Sequence, residues 1–287
     1  MLPEYYYRWV QTAVCLLLVL GMSVCAQAKP QAKAPTQPLP PMAKSSTSAE
    51  ATAVQPFLRI ETGMHTAIIN RIAVDQQERY LVTASDDKTA RVWDLQTRKL
   101  LQTLRPPIGE GNEGKLYAVA MSPDGKTVAL SGWTVSTNAS EESNAFNIYL
   151  FDRASGHLTH QIRGLPNAIL HLAYSFDGHY LAAALGGENG IRIYRSDDWQ
   201  KVGKDTDYGA ASYWVEFDTQ GRLVSTSYDG YIRLYDKDFH LIAKQAAPGG
   251  KQPFSVRFSP DGSKLAVGFI YSTAVNVLSA EIGRAHV

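Results

Sequence analysis

Cysteine is scarce in this chain, and its placement excludes several kinds of chemistry. The sequence has two cysteines, Cys15 and Cys25, and both lie close to the N-terminus. If the N-terminal segment is removed during export, the remaining chain contains no thiol. The mature chain would then have no disulfide, no thiolate metal site and no cysteine nucleophile.

An excess of charge of either sign is also missing. The 28 Lys and Arg residues balance 27 Asp and Glu residues, and the formal net charge is +1. A chain without a strong field has no electrostatic drive toward nucleic acid or an anionic membrane surface. We therefore expect neither as a partner, apart from the membrane contact of the N-terminal segment, and we expect a monomer.

Motifs that hold phosphates or metals are absent as well. The run Gly186-Gly187-Glu188-Asn189-Gly190 is typical of a hairpin turn and not of a phosphate-binding loop. The acidic pairs Asp86-Asp87 and Asp197-Asp198 lack the spacing of a calcium loop. We therefore expect no cofactor and no metal.

The first residues read as a secretory signal peptide. Arg8 precedes the apolar run Ala13–Leu20, and Ala26-Gln27-Ala28 is a small-x-small cleavage signal. We predict a signal peptide over 1–28 and a periplasmic or extracellular location, with an uncleaved membrane anchor as the alternative. Residues 29–56 are rich in Pro, Ala, Lys and Ser and predict a disordered linker.

The rest of the chain repeats one pattern of strands. Within His65–Asp94, three β-type runs lie at Ile68–Val74, Tyr80–Ser85 and Ala90–Asp94. The ending of the last run recurs at 148–152, 192–195 and 233–236. A period of roughly 40 residues with several short strands is typical of propeller blades. The sequence therefore predicts an all-β fold of radially arranged antiparallel blades.

Turns at the same position in successive repeats support this prediction and the blade limits that follow. They are Ser122-Pro-Asp-Gly125, Ser175-Phe-Asp-Gly178, Asp218-Thr-Gln-Gly221 and Ser259-Pro-Asp-Gly262. The predicted domain covers 57–280, with blades near 65–105, 115–164, 167–206, 210–247 and 252–280. It opens on a lone strand at 57–61, and its fifth blade has three strands. The last residues, 281–287, have no counterpart in the repeat and resemble a translated sequencing adapter, so we expect a non-native tail.

In these features the chain resembles the WD-repeat family. The resemblance implies a buried structural tetrad, which by spacing falls on His65, Thr83, Asp87 and Trp93 in the first blade. A His, a hydroxyl and an Asp are also the parts of a catalytic triad, but a triad needs an exposed nucleophile and an oxyanion hole. We therefore interpret the four residues as structural.

Other blades depart from the tetrad. The fourth blade keeps Ser225, Asp229 and Tyr235 but lacks the His, and the third offers Glu188 and Tyr194. WD-repeat rings usually have seven blades, so the resemblance implies a truncated or open part of a ring, with about two blades absent.

A closer resemblance is to secreted bacterial proteins that carry a WD-repeat propeller before a caspase-like peptidase domain. The phrases that carry it are GKLYAVAMSPDGKTVALSGWT and YLFDRASGHLTHQIRGLPNAILHLAYSFDGHYLAAALGGENGIRIYR. Such a parent protein would hold its catalytic His and Cys in the downstream domain. This chain has no such pair after the signal peptide, so we expect no catalytic residue here.

The predicted function is a non-catalytic protein-interaction scaffold that positions or regulates such a peptidase. Candidate partner-binding residues are the aromatics near two long loops, 105–115 and 135–145: Tyr117, Trp133, Tyr213 and Trp214. Tyr213 and Trp214 could instead pack between blades. The alternative function is binding of a small ligand, or catalysis, at the central channel. Charged residues or histidines converging on the channel would favour it, and the sequence pattern indicates none.

Overall fold

A computed structural model describes residues 63–134 and 146–281. Several predictions therefore lie outside the described residues: the signal peptide, the linker, the strand at 57–61, the loop at 135–145 and nearly all of the tail. Among the residues that are described, no helix is long and apolar enough to cross a membrane.

The described residues form an all-β fold of short strands without a helix. The strands are β1 (Ile69–Val74), β2 (Tyr80–Ser85), β3 (Ala90–Asp94), β4 (Leu100–Leu104), β5 (Leu116–Met121), β6 (Thr127–Gly132), β7 (Phe146–Asp152), β8 (Leu158–Leu165), β9 (Ile169–Tyr174), β10 (Tyr180–Leu185), β11 (Ile191–Arg195), β12 (Lys201–Asp205), β13 (Ser212–Phe217), β14 (Leu223–Ser227), β15 (Tyr231–Tyr235), β16 (Leu241–Ala246), β17 (Pro253–Phe258), β18 (Lys264–Phe269) and β19 (Val275–Ser279).

The strands pair into five antiparallel sheets, each following the order of the chain. Sheet one is β1–β4, sheet two β5–β8, sheet three β9–β12, sheet four β13–β16 and sheet five β17–β19. Up-and-down sheets of four strands, repeated along a chain, are the blades of a propeller. The predicted fold class is therefore confirmed, including the three strands of the fifth blade.

The repeated turn works as its residues suggest. Ser122 Oγ donates to Asp124 Oδ1 at 2.6 Å and accepts from the Thr127 amide at 2.9 Å. Gly125 has φ of +70°, in the left-handed region that favours glycine. The same bonds recur at Ser175 and Ser259, so this turn has one structure in sheets two, three and five.

The hydrophobic core lies between successive sheets. Four buried clusters join sheet one to two, two to three, three to four and four to five. In the first of them, Val82 and Val92 of sheet one meet Val119 and Tyr149 of sheet two. No buried cluster of the described residues joins sheet five to sheet one. The outer faces of those two sheets expose apolar side chains, and Ile72 and Val277 are both 64% exposed.

The first strands of the five sheets lie side by side and form the setting of the candidate site. Strand β1 contacts β5, β5 contacts β9, β9 contacts β13 and β13 contacts β17. The register of each strand against its neighbour in the sheet shifts near its start. Such a bulge turns a side chain out of the regular alternation of a strand. The residues skipped by the shift are Asn70, Tyr117, Leu170, Tyr213 and Phe254.

Candidate interaction site

The four tetrad residues lie in one hydrogen-bonded chain in sheet one. His65 Nδ1 is 2.9 Å from Asp87 Oδ2, and His65 Nε2 is 2.7 Å from Thr83 Oγ1. The Trp93 indole N–H donates to the same hydroxyl oxygen at 3.2 Å. The polar side-chain groups of these four residues are bonded to one another, so the network can be buried without a large desolvation cost.

Asp87 is the centre of this network. It also accepts from the Thr66 amide at 3.0 Å and from the Thr89 hydroxyl at 2.5 Å. Burial alone would raise the pKa of Asp87, but the bonds from Thr89, the Thr66 amide and His65 outweigh it and lower the pKa. The Thr83 oxygen is buried and bonded to two side chains, which is the arrangement of a structural hydroxyl and not of an accessible nucleophile.

Sheet four contains a second network, around the residues Ser225, Asp229 and Tyr235 that match the tetrad without its His. The place of the missing His is taken by Tyr208, whose hydroxyl lies 2.6 Å from Ser225 Oγ and 2.9 Å from the Tyr235 hydroxyl. Tyr235 donates onward to Asp205 Oδ2 at 2.7 Å. Burial raises the pKa of Tyr208 to about 12, so its hydroxyl keeps its proton at neutral pH.

Arg233 completes the network of sheet four. It is fully buried, and its guanidinium donates to Asp229 Oδ2 at 2.6 Å. The same group lies over the Tyr208 ring, 3.8 Å from its centroid. The buried cation is therefore neutralised by one carboxylate and held against one aromatic face, as a buried charge requires.

A spacing signal could have identified Tyr208. The Gly209 amide donates to Asp229 Oδ2 at 3.1 Å, as the Thr66 amide donates to Asp87 Oδ2 at 3.0 Å. Tyr208 and His65 each precede that amide by one residue. The pattern was missed because a phenol, and not an imidazole, occupies the position.

The four aromatic candidates do not form one cluster. Tyr117 on β5 and Tyr213 and Trp214 on β13 are half-buried, and β9 lies between these two first strands. The Tyr213 ring stacks on Tyr228 at 4.0 Å and lies 5.2 Å from the Phe254 ring. Tyr213 thus also packs against sheet five, as its alternative interpretation predicted.

Trp133 directly follows β6 of sheet two and is 40% exposed. Its amide donates to the carbonyl of Lys115, and its ring meets Phe146 edge to face at 5.5 Å. Trp133 is thus the freest of the four candidates to contact a partner.

The expectation that no charged residues converge on the first strands is wrong. Arg71 of sheet one donates to the carbonyl of Leu170 in sheet three at 3.3 Å. Its guanidinium also lies 4.7 Å from the Trp214 ring centroid in sheet four and 5.6 Å from that of Phe254 in sheet five. Burial lowers the pKa of Arg71 to about 10, which still leaves it protonated at neutral pH.

His171 and Glu216 also contact Trp214. The His171 ring stacks on Trp214, with the ring centroids 3.9 Å apart. Burial, followed by the nearby Arg71 charge, lowers the pKa of His171 well below its ordinary value. Glu216 accepts from Trp214 Nε1 at 3.3 Å and pairs with Arg257 at 3.3 Å.

Burial raises the pKa of Glu216 to about 7, against the opposing effect of Arg257. These contacts join sheets one, three, four and five, so a pattern read within one blade does not reveal them. Among the described residues, no group of three metal-ligating side chains comes together.

Comparison with known proteins identifies one WD repeat in this chain. The family model described as "WD domain, G-beta repeat" matches residues 59–94, a segment that contains all four tetrad residues. The chain carries a WD repeat. Together with the five antiparallel sheets, this makes the fold class that of a WD-repeat β-propeller. WD repeats imply a protein-interaction scaffold, which agrees with protein partners for this chain.

Relatives that match a short part of this chain carry the name "Ribosome biogenesis protein BOP1 homolog". The protein of Drosophila persimilis is 30% identical over 76 residues, which is 25% of this chain and 9% of that protein. The protein of Drosophila erecta is 33% identical over 54 residues, 18% of this chain and 7% of that protein. The match thus spans less than a tenth of these relatives.

Proposed function

We propose that this WD-repeat chain is a non-catalytic protein-interaction scaffold of an exported protein. In the parent protein it positions or regulates a caspase-like peptidase domain. The observation that carries the scaffold role is the WD-repeat propeller itself, with its tetrad hydroxyl buried and bonded within sheet one. Export and the peptidase rest on the signal-like N-terminus and on the resemblance to secreted bacterial proteins.

The partner surface that we propose lies at the bulged starts of the first strands. The Tyr213 ring stacks on Tyr228 there. Burial, followed by the charges of Asp86 and Tyr213, raises the pKa of Tyr117. Asp86 in turn pairs with Lys115 at 3.5 Å and accepts from the Asn70 amide group at 2.7 Å. Partly buried aromatic rings beside polar groups are typical anchors of protein interfaces.

Two measurements test export and the parent protein. N-terminal sequencing of exported material should begin at Lys29, whereas an intact Met1 would replace the signal peptide with an anchor. A long genomic read should continue past codon 280 into further blades and a peptidase domain. A stop codon directly after Val287 would contradict the peptidase role.

Binding of the encoded downstream domain tests the scaffold role. We expect Tyr213→Ala and the deletion of 136–144 each to weaken binding of that domain about tenfold or more, because anchors dominate interface energies. Phe176→Ala is the matched control, since this aromatic side chain is 52% exposed and lies in the turn after β9, at the opposite end of the first strands. Equal binding by all variants would exclude this surface.

A second candidate function is recognition of a small ligand, or chemistry, at the first strands. The observation that favours it is the convergence of Arg71, His171 and Glu216 around Trp214. Titratable groups with shifted pKa values often mark functional sites. Loss of a ligand-induced rise in melting temperature in Arg71→Met, but not in Arg98→Met, would support this candidate.

A further inference from the structure

Two neighbouring clefts of the propeller are built from equivalent segments. The segment Ile162–Ile169 connects sheet two to sheet three, and Asp205–Ser212, of the same length, connects sheet three to sheet four. The carbonyl of Ala168 accepts the Gly186 amide at 2.9 Å, and the carbonyl of Ala211 accepts the Tyr228 amide at 3.0 Å. The two segments can therefore be compared residue by residue.

Each segment faces an arginine and a tyrosine on the third strand of the next sheet. Arg192 pairs with Ala183 and Arg233 with Ser225 across their sheets, and each arginine is followed two residues later by a tyrosine, Tyr194 or Tyr235. The two clefts thus have matching walls on one side.

Carboxylates fill the cleft between sheets three and four. Tyr235 donates to Asp205 Oδ2 at 2.7 Å, and Lys244 Nζ lies 2.6 Å from Asp207 Oδ2. Arg233 has its own partner in Asp229. The cations Arg233 and Lys244 of this cleft therefore each pair with a carboxylate of the chain.

The cleft between sheets two and three lacks these carboxylates. Ile162 stands where the other segment has Asp205, and Gly164 stands where it has Asp207. Arg192 Nη1 donates to the backbone carbonyls of Asn189 and Ile191, at 2.7 and 2.8 Å. Burial lowers the pKa of Arg192, as expected for a buried cation without a neighbouring carboxylate.

This second cleft is open. A cavity of about 360 Å³ lies between β8 and β11–β12, with the cations Arg163, Arg192 and Lys201 in its lining. The one carboxylate in the lining, Asp198, binds Arg195 at 2.5 Å. The described lining therefore presents unbalanced positive charge around a space large enough for a ligand.

An aromatic wall completes the cleft. His160 stacks on Trp199 at 5.9 Å, with the ring planes 21° apart. Trp199 has φ of +57°, a conformation that glycine adopts in the equivalent turn of sheet two, where Gly156 has φ of +71°. Arg98 and Phe239 have φ of +59° and +66° in the equivalent turns of sheets one and four, so this conformation belongs to the turn.

The same turn in sheet four carries Phe239, whose ring packs on Tyr180 at 4.9 Å and helps to fill its cleft. Trp199 instead borders an open cavity.

We propose that the cleft between sheets two and three binds an acidic peptide segment of a partner protein. Its carboxylates supply the negative charge that Asp205 and Asp207 give the neighbouring cleft, and they enter the open cavity and pair with Arg192, Arg163 and Lys201 in its lining. Charge-assisted bonds to arginine give such a contact strength and direction. This site is separate from the aromatic surface proposed above, and it does not depend on it.

The neighbouring cleft supplies the probe. A fluorescein-labelled peptide Asp-Thr-Asp-Tyr-Gly copies residues 205–209, and Asn-Thr-Asn-Tyr-Gly is its uncharged counterpart. We expect the full chain to raise the anisotropy of the acidic peptide, with affinity at least about tenfold above that for the amide peptide. Equal binding of the two peptides would overturn the proposal.

Variants locate the site. Arg163→Gln combined with Lys201→Gln should weaken binding of the acidic peptide about tenfold, because both residues lie at the exposed rim and their loss leaves the core intact. Lys237→Gln, in the exposed turn of sheet four, is the matched control and should bind as the wild type does. Wild-type affinity in the double variant, or tighter binding of a labelled oligothymidine than of the peptide, would overturn the proposal.

Discussion

The hydroxyl of Tyr208 lies 2.6 Å from Ser225 Oγ, and this pair does for sheet four what a histidine and a threonine do for sheet one. Tyr208 comes from the segment that enters the sheet, and Ser225 from its second strand, so the bond ties the entering chain to the blade. The propeller thus fixes two of its blades by buried polar networks of different composition. Networks of this kind specify one arrangement because every member must find its partner.

Asp87→Ala should destabilise the chain through sheet one. The change leaves His65, Thr89 and the Thr66 amide without their common acceptor, at a cost of about 1–3 kcal/mol for each buried group. Asp197→Ala is the control, because Asp197 is exposed in a turn outside the network. Chemical denaturation measures both free energies of unfolding, and equal losses would contradict a structural role for the tetrad.

Tyr208→Phe should destabilise sheet four while keeping the ring in its place. The variant removes the hydroxyl that meets Ser225 and Tyr235, and we expect a loss of about 1–2 kcal/mol in the free energy of unfolding. Tyr271→Phe removes an exposed hydroxyl and should change stability by less than about 0.5 kcal/mol. A Tyr208→Phe chain as stable as the control would show that the network contributes nothing to stability.

The architecture was predictable from the sequence because residues close together in the chain determine the strands and turns of each blade. Each blade repeats the alternation of its strands and a Ser-x-Asp-Gly type of turn, and the turn at Ser122 has the bonds that its residues suggest. The second blade, predicted to end near residue 164, ends with β8 at Leu165, and Gly164 has a positive φ of 78° within that strand.

The candidate sites were less predictable because their residues come from different blades. Arg71 reaches Trp214 across 143 positions of the chain, and no periodicity within one blade encodes that contact. The open cleft beside Trp199 depends on Ile162 and Gly164 standing where another blade has acids. That difference is visible only when the two segments are aligned by structure.

Glu216 should make stability fall as pH rises. Its pKa in the folded chain is raised to about 7, from 4.5 as the ordinary value. Between these values the folded state holds a proton that the unfolded state has released, so raising the pH through this window favours unfolding. The contribution is fully present below about pH 4.5 and is lost by about pH 7, and it amounts to about 3 kcal/mol at most.

Glu216→Gln tests this dependence. The variant keeps an oxygen that can accept from Trp214, and it should lose less stability than the wild type between about pH 5 and about pH 8. Glu188→Gln, at an exposed position, should keep the wild-type slope. Urea unfolding at the two pH values gives the comparison, and identical slopes in all three chains would exclude Glu216 as the titrating group.

Sheet five should make this chain associate with itself, in contrast to the monomer expected from the sequence. Its third strand, β19, exposes Val275 and Val277, which are 67% and 64% exposed, and it has no fourth strand beyond it among the described residues. An unpaired edge with apolar side chains is a template for strand pairing between molecules.

Val277→Lys places a charge on that edge, so we expect it to lower the weight-average mass in sedimentation equilibrium relative to the wild type. Val202→Lys, on the outer strand of sheet three, is the control, because its side chain is also exposed but sheet three has its full set of four strands. A wild-type chain that stays monomeric at all concentrations would mean that this edge is covered.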